Sequence, residues 1–148
     1  EFILVNEKID NIKKNKLYCI NQSKTFESEI KKIMQYLNGQ KYNTRWVGSM
    51  VADCHMVISK GGLFMYPRAL DSYNGKLRLL YEVLPFAHIF SLLGGIALND
   101  SYESILDKIY STELNNKNIH RKTPLILCSN NEHKNLLVLK DLNDNLSC

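Results

Sequence analysis

At 148 residues, with 45% hydrophobic and 23% charged residues, the chain has the size and composition of one globular domain that buries a real core. No apolar run is long enough to span a membrane, and no secretory signal pattern stands at the start. The formal net charge of +4 comes without a basic tract interleaved with aromatic residues, so it suits a phosphorylated small molecule and gives no reason to favour nucleic acid.

The cysteines predict reduced thiols in a cytoplasmic protein. Cys19, Cys54, Cys128 and Cys148 show neither CxxC pairing nor zinc-like spacing with the histidines. The chain begins at Glu1 rather than at a methionine, so we expect its natural N-terminus to lie upstream. A segment that targets the protein to an organelle would lie there as well.

The first predicted elements are two short apolar strands, Phe2 to Val5 and Leu17 to Ile20. The lysine-rich segment from Lys8 to Lys16 lies between them, and the sequence therefore predicts a hairpin. Asn21 leaves the end of the second strand, where an asparagine most often forms a turn.

A helix is predicted next, because apolar residues recur at helical spacing. They are Phe26, Ile30, Ile33, Met34 and Leu37. Thr25 is the expected N-cap of this helix, and Gly39 is the expected stop. We assign this helix a structural role.

The central stretch begins with Arg45 and Trp46, which precede Gly48 and Ser49. Ser49 is a good N-cap for the apolar run from Met50 to Ile58, so a second helix is predicted to start there and to end at Gly61-Gly62. The N-terminus of a helix offers unpaired N–H groups and a positive dipole end, which suit the hydroxyls or phosphate of a ligand.

A short buried strand, Leu63 to Tyr66, is predicted to stop at Pro67 and to leave the Tyr66 hydroxyl where the strand emerges. After the turn signal Asn74-Gly75, the run from Lys76 to Tyr81 alternates cationic and apolar residues, which predicts a strand with Lys76 and Arg78 on one face.

Glu82 follows at a predicted strand-to-helix junction, because Pro85 suits the first turn of an apolar helix that closes at Gly94-Gly95. A carboxylate in this position, close to cations, is either a salt-bridged helix cap or a ligand for Mg²⁺. The spacing alone does not choose between the two.

The remaining predicted elements are a strand from Ile96 to Leu98, a buried strand from Leu125 to Cys128 and a closing helix from Asn131 to Leu139. Helices alternate with short strands along the chain. The sequence therefore predicts an α/β fold, a single layered domain over residues 1–148 in which helices flank a mixed β-sheet.

Three motifs in close order carry a family resemblance. The first motif, RWVGSMVAD, resembles RYVGSMVAD in the C-terminal half of class I fructose-1,6-bisphosphatase. The second, GGLFMYP, resembles GGIFLYP of the same region, and the third, NGKLRLLYE, has the same letters as the family motif. The segments EFILV and KLYCIN and the tail from His120 to Ser129 are similar to it as well, so the resemblance covers nearly the whole chain.

The resemblance implies roles for individual residues. The 6-phosphate and sugar of the substrate would be bound by Asn21, Arg45, Tyr66 and Lys76. Further candidates for this role are Lys24, Trp46 and Arg78. The backbone at Ser49 and Met50 would meet sugar hydroxyls, and Glu82 would ligate a catalytic Mg²⁺. Taken singly, Tyr66 has a plainer interpretation as a core aromatic, Arg78 as a surface cation and Arg45 as an interface arginine.

The implied function is Mg²⁺-dependent hydrolysis of the 1-phosphate of fructose 1,6-bisphosphate, which gives fructose 6-phosphate and phosphate in gluconeogenesis. The family implies a homo-oligomer, a tetramer, in which Arg45 reaches the active site of a neighbouring subunit. Sedoheptulose bisphosphatase is the enzymatic alternative, and a non-catalytic sugar-phosphate-binding module is another.

Departures from the family pattern qualify these expectations. Trp46 replaces the usual tyrosine, Lys24 replaces tyrosine or asparagine, and Gln22 replaces glutamate. The N-terminal domain with the family's aspartate-rich metal motif, DPLDGS, has no counterpart in the sequence. One acidic ligand does not build a site for two or three metal ions, so we expect the chain alone to be inactive as a phosphatase.

Overall fold

The structure is a computed structural model that describes residues 3–4, 9, 11–21, 26–107 and 119–145, with side chains described as far as residue 140. Its strands are β1 (Leu17–Ile20), β2 (Asn43–Arg45), β3 (Leu63–Tyr66), β4 (Leu77–Arg78), β5 (Gly95–Leu98), β6 (Lys122–Thr123) and β7 (Leu125–Ser129). Its helices include α1 (Ser28–Gly39), α2 (Met50–Lys60), α3 (Leu84–Leu92) and α4 (Asn130–Asn145), and a π-helical turn spans Leu79–Val83.

Five of the strands form one mixed sheet in the order β2-β1-β3-β7-β5. β2, β1 and β3 run parallel to one another, whereas β7 is antiparallel to both β3 and β5. β4 and β6 form a separate antiparallel ribbon. The carboxyl ends of the three parallel strands therefore meet at one edge of the sheet, which is where α/β proteins usually bind ligands.

Helices cover both faces of the inner part of the sheet, which explains why β1 and β3 are continuous apolar runs. The edge strand β2 is exposed throughout. On one face, Cys19 and Phe64 belong to a cluster with buried side chains of α2 and α3. On the other face, Tyr18 and Met65 belong to a cluster with buried side chains of α1 and α4. The predicted α/β fold, a layered domain with a mixed sheet flanked by helices, is confirmed.

Most of the predicted elements are confirmed where the structure describes them. β1 and β3 have the predicted bounds, α2 begins after Ser49, and α3 has a proline in its first turn. The closing helix is longer than predicted, since α4 runs from Asn130 to Asn145. The predicted N-cap Thr25 lies outside the described residues, and the N-cap position of α1 belongs to Glu27.

Two strand predictions are wrong. Ile3 and Leu4 lie outside any strand, with 80% and 75% of their surface exposed, and β1 pairs in parallel with β2 and β3 instead of forming a hairpin. Phe2 and Val5 lie outside the described residues. The strand predicted from Lys76 to Tyr81 is reduced to Leu77–Arg78, because the chain turns into the π-helical segment directly afterwards.

Gly62 brings the end of α2 directly against β1. Its φ is +110°, a conformation that side chains with a Cβ rarely adopt. A Cβ at this position would lie 2.2 Å from the carbonyl oxygen of Leu17, the first residue of β1. The helix and the strand approach each other this closely only because residue 62 is a glycine.

Among the described residues, no helix has both the length and the apolar character needed to cross a membrane.

Candidate functional site

Three predicted ligand residues stand at the carboxyl ends of the three parallel strands. Cys19 in β1 pairs with Arg45 in β2, and Ile20 pairs with Met65 in β3. Asn21 directly follows Ile20, and Tyr66 directly follows Met65. The sheet therefore brings Asn21, Arg45 and Tyr66 to the same edge, although 45 residues of sequence separate the first from the last.

Trp46 lies beside Tyr66 at this edge. Their ring centroids are 5.9 Å apart in an edge-to-face arrangement, which is a favourable geometry for two aromatic rings. Trp46 is 38% exposed, and Tyr66 is half-buried. The Trp46 indole, which stands where the family usually has a tyrosine, therefore packs against the ring that carries the Tyr66 hydroxyl.

Arg45 is exposed and makes no ion pair in the described part of the chain. Arg68 differs, because it pairs with Glu27 at 3.2 Å and with Asp100 at 3.1 Å. Of these two arginines, Arg45 is the one whose guanidinium is available to an anionic ligand or to another subunit.

Lys76 is held at the same edge by the turn that precedes it. Gly75, with φ of +72°, packs so closely on the backbone of Thr123 and Pro124 that a Cβ would lie 2.4 Å from the Pro124 nitrogen. The next residue, Leu125, pairs with Tyr66 across the sheet. Lys76 is exposed, and its contact with Asp71 at 3.9 Å is a weak surface pair that leaves the ammonium free to meet a phosphate.

Glu82 folds back onto the strand that carries Arg78. The backbone N–H of Arg78 donates to Oε2 of Glu82 at 2.6 Å, and the Leu84 amide donates to the Leu79 carbonyl five residues earlier. The carboxylate thus lies two residues from Lys76, about 7 Å along an extended backbone. Oε1 of Glu82 takes no part in this hydrogen bond.

Two buried polar atoms among these residues lack a hydrogen-bond partner within the described ranges. They are Oδ1 of Asn21 and Nε of Arg78. An unpaired buried polar group is destabilising by about 1–3 kcal/mol, so such groups commonly mark places where a ligand supplies the missing partner. An amide acceptor and a guanidinium donor suit a hydroxyl and a phosphate oxygen respectively.

The N-terminus of α2 lies in this region, since the helix begins at Met50 directly after the loop that follows β2. Ser49 occupies the N-cap position with an extended backbone, but its hydroxyl makes no capping hydrogen bond. The predicted position of the cap is confirmed, and the predicted side-chain bond is not formed. Lys24, the other departure expected in the pocket, lies outside the described residues, as does Gln22.

Sequence reasoning missed Asp53, a fully buried carboxylate in the first turn of α2. Oδ1 of Asp53 accepts a hydrogen bond from the backbone N–H of Val47 at 3.1 Å, so the carboxylate supports the loop between Arg45 and Met50. The available signal was an aspartate on an otherwise apolar helix face, because such a residue is rarely buried without a specific partner.

The residues present fit one metal ligand and not a complete metal centre. Among residues 11–21, 26–107 and 119–140, no three histidine, cysteine, aspartate or glutamate side chains group closely enough to hold a metal ion. Mg²⁺ commonly takes one or two carboxylates together with substrate phosphate and water. Glu82 suits one of those carboxylates, and no other described residue of the candidate site supplies the second.

The described cysteines are free, and all three are buried: Cys19, Cys54 and Cys128. Cys148 lies outside the described residues. Burial, followed by the negative charge of Asp53, raises the pKa of the Cys19 thiol from 9.0 to about 11. Burial also raises the pKa of Cys54 and Cys128.

These shifts predict that alkaline conditions destabilise the fold. Above pH 9 the unfolded chain releases thiol protons that the native chain retains, so the native state binds more protons and the free energy of unfolding falls as pH rises through about 11. Urea unfolding at pH 8 and pH 10 checks this. A Cys128→Ala variant should show a smaller loss between the two pH values, and an equal loss would contradict the assignment.

The chain is thus a layered α/β domain with candidate ligand residues at one edge of its mixed sheet. The family described as fructose-1-6-bisphosphatase, C-terminal domain, matches residues 12–140. The chain belongs to this family.

Named relatives agree with this assignment. The class 1 fructose-1,6-bisphosphatase of Chloroherpeton thalassium is 41% identical over 142 residues, which cover 90% of this chain and 39% of that protein. Fructose-1,6-bisphosphatase 1 of Rattus norvegicus is 40% identical over 144 residues, with coverages of 93% and 38%. The chain therefore spans about two fifths of the length of these relatives.

A solved structure shows the same fold. The apo form of Leishmania major fructose-1,6-bisphosphatase superposes with a TM-score of 0.77 at 32% sequence identity, over 95% of this chain and 44% of that one. The arrangement of helices on a mixed sheet is thus the fold of the corresponding part of a fructose-1,6-bisphosphatase.

Proposed function

We propose that this chain is the sugar-phosphate-binding half of a Mg²⁺-dependent fructose-1,6-bisphosphatase, which hydrolyses the 1-phosphate and releases fructose 6-phosphate. The observation that carries the proposal is the meeting of Asn21, Arg45 and Tyr66 at the carboxyl ends of three adjacent parallel strands. Side chains from separate strands converge there without any local sequence reason, which is how α/β scaffolds build ligand sites.

The 6-phosphate, which does not react, would be held by donors. Lys76 contributes an exposed ammonium, Tyr66 a hydroxyl next to the Trp46 ring, and Arg45 a guanidinium without an ion pair among the described residues. The sugar would meet the amides at the start of α2, at Ser49 and Met50, and the unpaired side-chain oxygen of Asn21. Such fixed groups orient the sugar before the reaction begins.

Glu82 would hold the metal on the side of the phosphate that leaves, while its Oε2 accepts from the Arg78 amide. When bound, Mg²⁺ polarises that phosphate and activates a water. Arg78 lies beside the same carboxylate and carries an unpaired Nε that suits a phosphate oxygen. Since Glu82 is the only carboxylate of the candidate site among the described residues that suits the metal, the chain alone would bind substrate without turning it over.

The proposal includes an assembly and a compartment. The guanidinium of Arg45 is exposed and makes no ion pair within the described residues, which supports a homotetramer in which Arg45 reaches the active site of the neighbouring subunit. A cytoplasmic location and a role in gluconeogenesis complete the proposed function.

Two measurements test the proposal. Isothermal titration calorimetry of the 148-residue chain should detect binding of fructose 6-phosphate and much weaker binding of inorganic phosphate. Phosphate release from fructose 1,6-bisphosphate with Mg²⁺ should occur with the full-length gene product and not with this chain. Hydrolysis of fructose 1,6-bisphosphate by this chain alone would contradict the proposal that it binds substrate without turning it over. Absence of fructose 6-phosphate binding would contradict the proposed binding site.

The same assay with sedoheptulose 1,7-bisphosphate separates the two enzymatic candidates, because the preferred substrate has the higher kcat/KM. A full-length product that binds sugar phosphates and releases no phosphate would indicate a non-catalytic sugar-phosphate-binding module instead. The described residues contain no group of three side chains that could hold a metal ion, and this observation favours the non-catalytic module as the second candidate.

Replacement of Lys76 by alanine is expected to weaken fructose 6-phosphate binding by about 10- to 100-fold, since a hydrogen bond to a charged group contributes roughly 1.5–3 kcal/mol. Calorimetry on the variant measures the change. The matched control is Lys31→Ala, which removes an exposed lysine from α1 and should leave the affinity unchanged. Equal effects of the two variants would show that only the overall charge matters.

A further inference from the structure

Asp53 has an environment that its place in a helix does not explain. It lies in the first turn of α2 with 0% of its surface exposed, where a charged residue is rarely found unless it has a specific partner. Its Oδ1 accepts from the Val47 N–H at 3.1 Å, and its Oδ2 is buried without a hydrogen-bond partner in the described part of the chain. The bond from the Val47 N–H reaches the loop at the candidate site.

Apart from the Trp46 ring, which packs edge-to-face on Tyr66, the loop that Asp53 contacts lies at the surface. Residues from Trp46 to Ser49 are exposed, and the side chain of Val47 is 61% exposed. The backbone reverses at Gly48, which has a φ of +85°. An exposed loop that turns on a glycine is expected to sample several conformations unless a bond from the interior fixes it.

The carboxylate also lies at the junction of the elements that carry the site. Its charge and a side-chain hydrogen bond with it both contribute to the raised pKa of Cys19, and Cys19 is the register partner of Arg45 in the sheet. The backbone N–H of Asp53 donates to the Ser49 carbonyl at 2.9 Å. Asp53 thus connects β1, the end of β2 and the start of α2 around one buried group.

We propose that Asp53 is a positioning residue: through the Val47 N–H it fixes the loop from Trp46 to Ser49, and with it the direction of Arg45 and the amides at the start of α2. The ligand-related part of this inference rests on the proposed function. The loop-fixing part does not, because it concerns the free protein.

Amide hydrogen exchange of the 148-residue chain, followed by NMR without ligand, tests the loop-fixing part directly. In the native sequence, the Val47 amide should exchange at least about tenfold more slowly than expected for an exposed loop, although its side chain is exposed. This measurement needs no variant. Unprotected exchange at Val47 would overturn the inference.

Variants separate positioning from packing. Asp53→Ala removes the acceptor, so it should speed exchange at Val47 about tenfold and weaken fructose 6-phosphate binding to a similar extent. Asp53→Asn keeps an oxygen at the same place, so it should restore both properties to within about threefold of the native chain. Failure of asparagine to restore them would overturn the proposed role.

Glu132 provides the matched control. It is 2% exposed in the first turn of α4, and its side-chain contacts are with Tyr42 and Asn135, away from the candidate site. Glu132→Ala should lower stability without changing exchange at Val47 or the affinity for fructose 6-phosphate. Matching changes in the two alanine variants would mean that Asp53 acts only through general stability. If the native chain does not bind fructose 6-phosphate, the proposed function fails while the exchange data still decide the role of Asp53.

Discussion

Replacing Glu82 with glutamine is expected to lower Mg²⁺-dependent phosphate release by the full-length protein on the order of 10²- to 10³-fold. Glutamine keeps an oxygen that can accept from the Arg78 amide, which lies 2.6 Å from Oε2, so the local backbone should persist. The substitution removes the negative charge that a hard divalent cation requires. Steady-state kinetics over a range of Mg²⁺ concentrations measures both the loss of kcat and the rise in the half-saturating metal concentration.

Glu29→Gln is the control for this experiment, since it neutralises a carboxylate in the first turn of α1. It should leave kcat and the metal requirement within about twofold of the native values. Thermal unfolding should place Glu82→Gln near the native protein. A variant at position 82 that keeps native turnover would show that Glu82 only caps the turn, the alternative that the sequence left open.

Gly62→Ala is expected to lower the free energy of unfolding by about 3 kcal/mol or more. The backbone conformation, with φ of +110°, is strained for alanine, and its Cβ would lie 2.2 Å from the Leu17 carbonyl oxygen. The obstruction is backbone rather than a flexible side chain, so α2 or β1 must shift. Urea unfolding of the 148-residue chain measures the loss of free energy. Thermal unfolding should show a decrease in Tm of roughly 10 °C.

Gly39→Ala is the companion substitution, because a Cβ there would find no atom within 4 Å. It lies at the end of α1 and should be neutral or stabilising by about 0.4–1 kcal/mol. Similar destabilisation at the two glycines would mean that the contact between Gly62 and Leu17 is not what makes residue 62 intolerant of a side chain.

The elements that sequence reasoning located correctly are those whose signal is local. β1 and β3 are four-residue apolar runs, bounded by polar residues or by glycine and proline, and α1 repeats its buried residues at helical spacing. Each signal depends only on the residues within the element. The fold class followed from the alternation of helices and strands, and it is confirmed.

The failed strand predictions concern pairing and geometry, which depend on distant residues. Leu17–Ile20 was expected to pair with the neighbouring apolar segment, yet its partners are β2 and β3, which follow α1 and α2 in the chain. The alternation after Lys76 resembles a strand for six residues, yet the chain leaves the extended conformation after Arg78. A pattern of period two does not reveal where packing against another element ends a strand.

For the candidate site, sequence motifs identified the residues but not how they are supported. Arg45, Tyr66 and Glu82 belong to the motifs that carry the family resemblance, so they were predicted as ligands, and those roles remain predictions. Asp53 belongs to the same motif as Arg45 and was passed over, because nothing in the sequence shows that its oxygen faces Val47. Burial and hydrogen bonding identified it.

The π-helical turn before α3 has a consequence for insertions and deletions. A helix with five-residue hydrogen bonding contains more residues per turn than an α-helix, and such turns persist mostly where a function requires them. Deleting one residue between Leu79 and Val83 would allow ordinary helical winding to continue into α3, and it would rotate the carboxylate of Glu82 around the helix axis. Relatives in which this segment is one residue shorter are therefore expected to have lost the acidic group as well, together with any metal chemistry that depends on it.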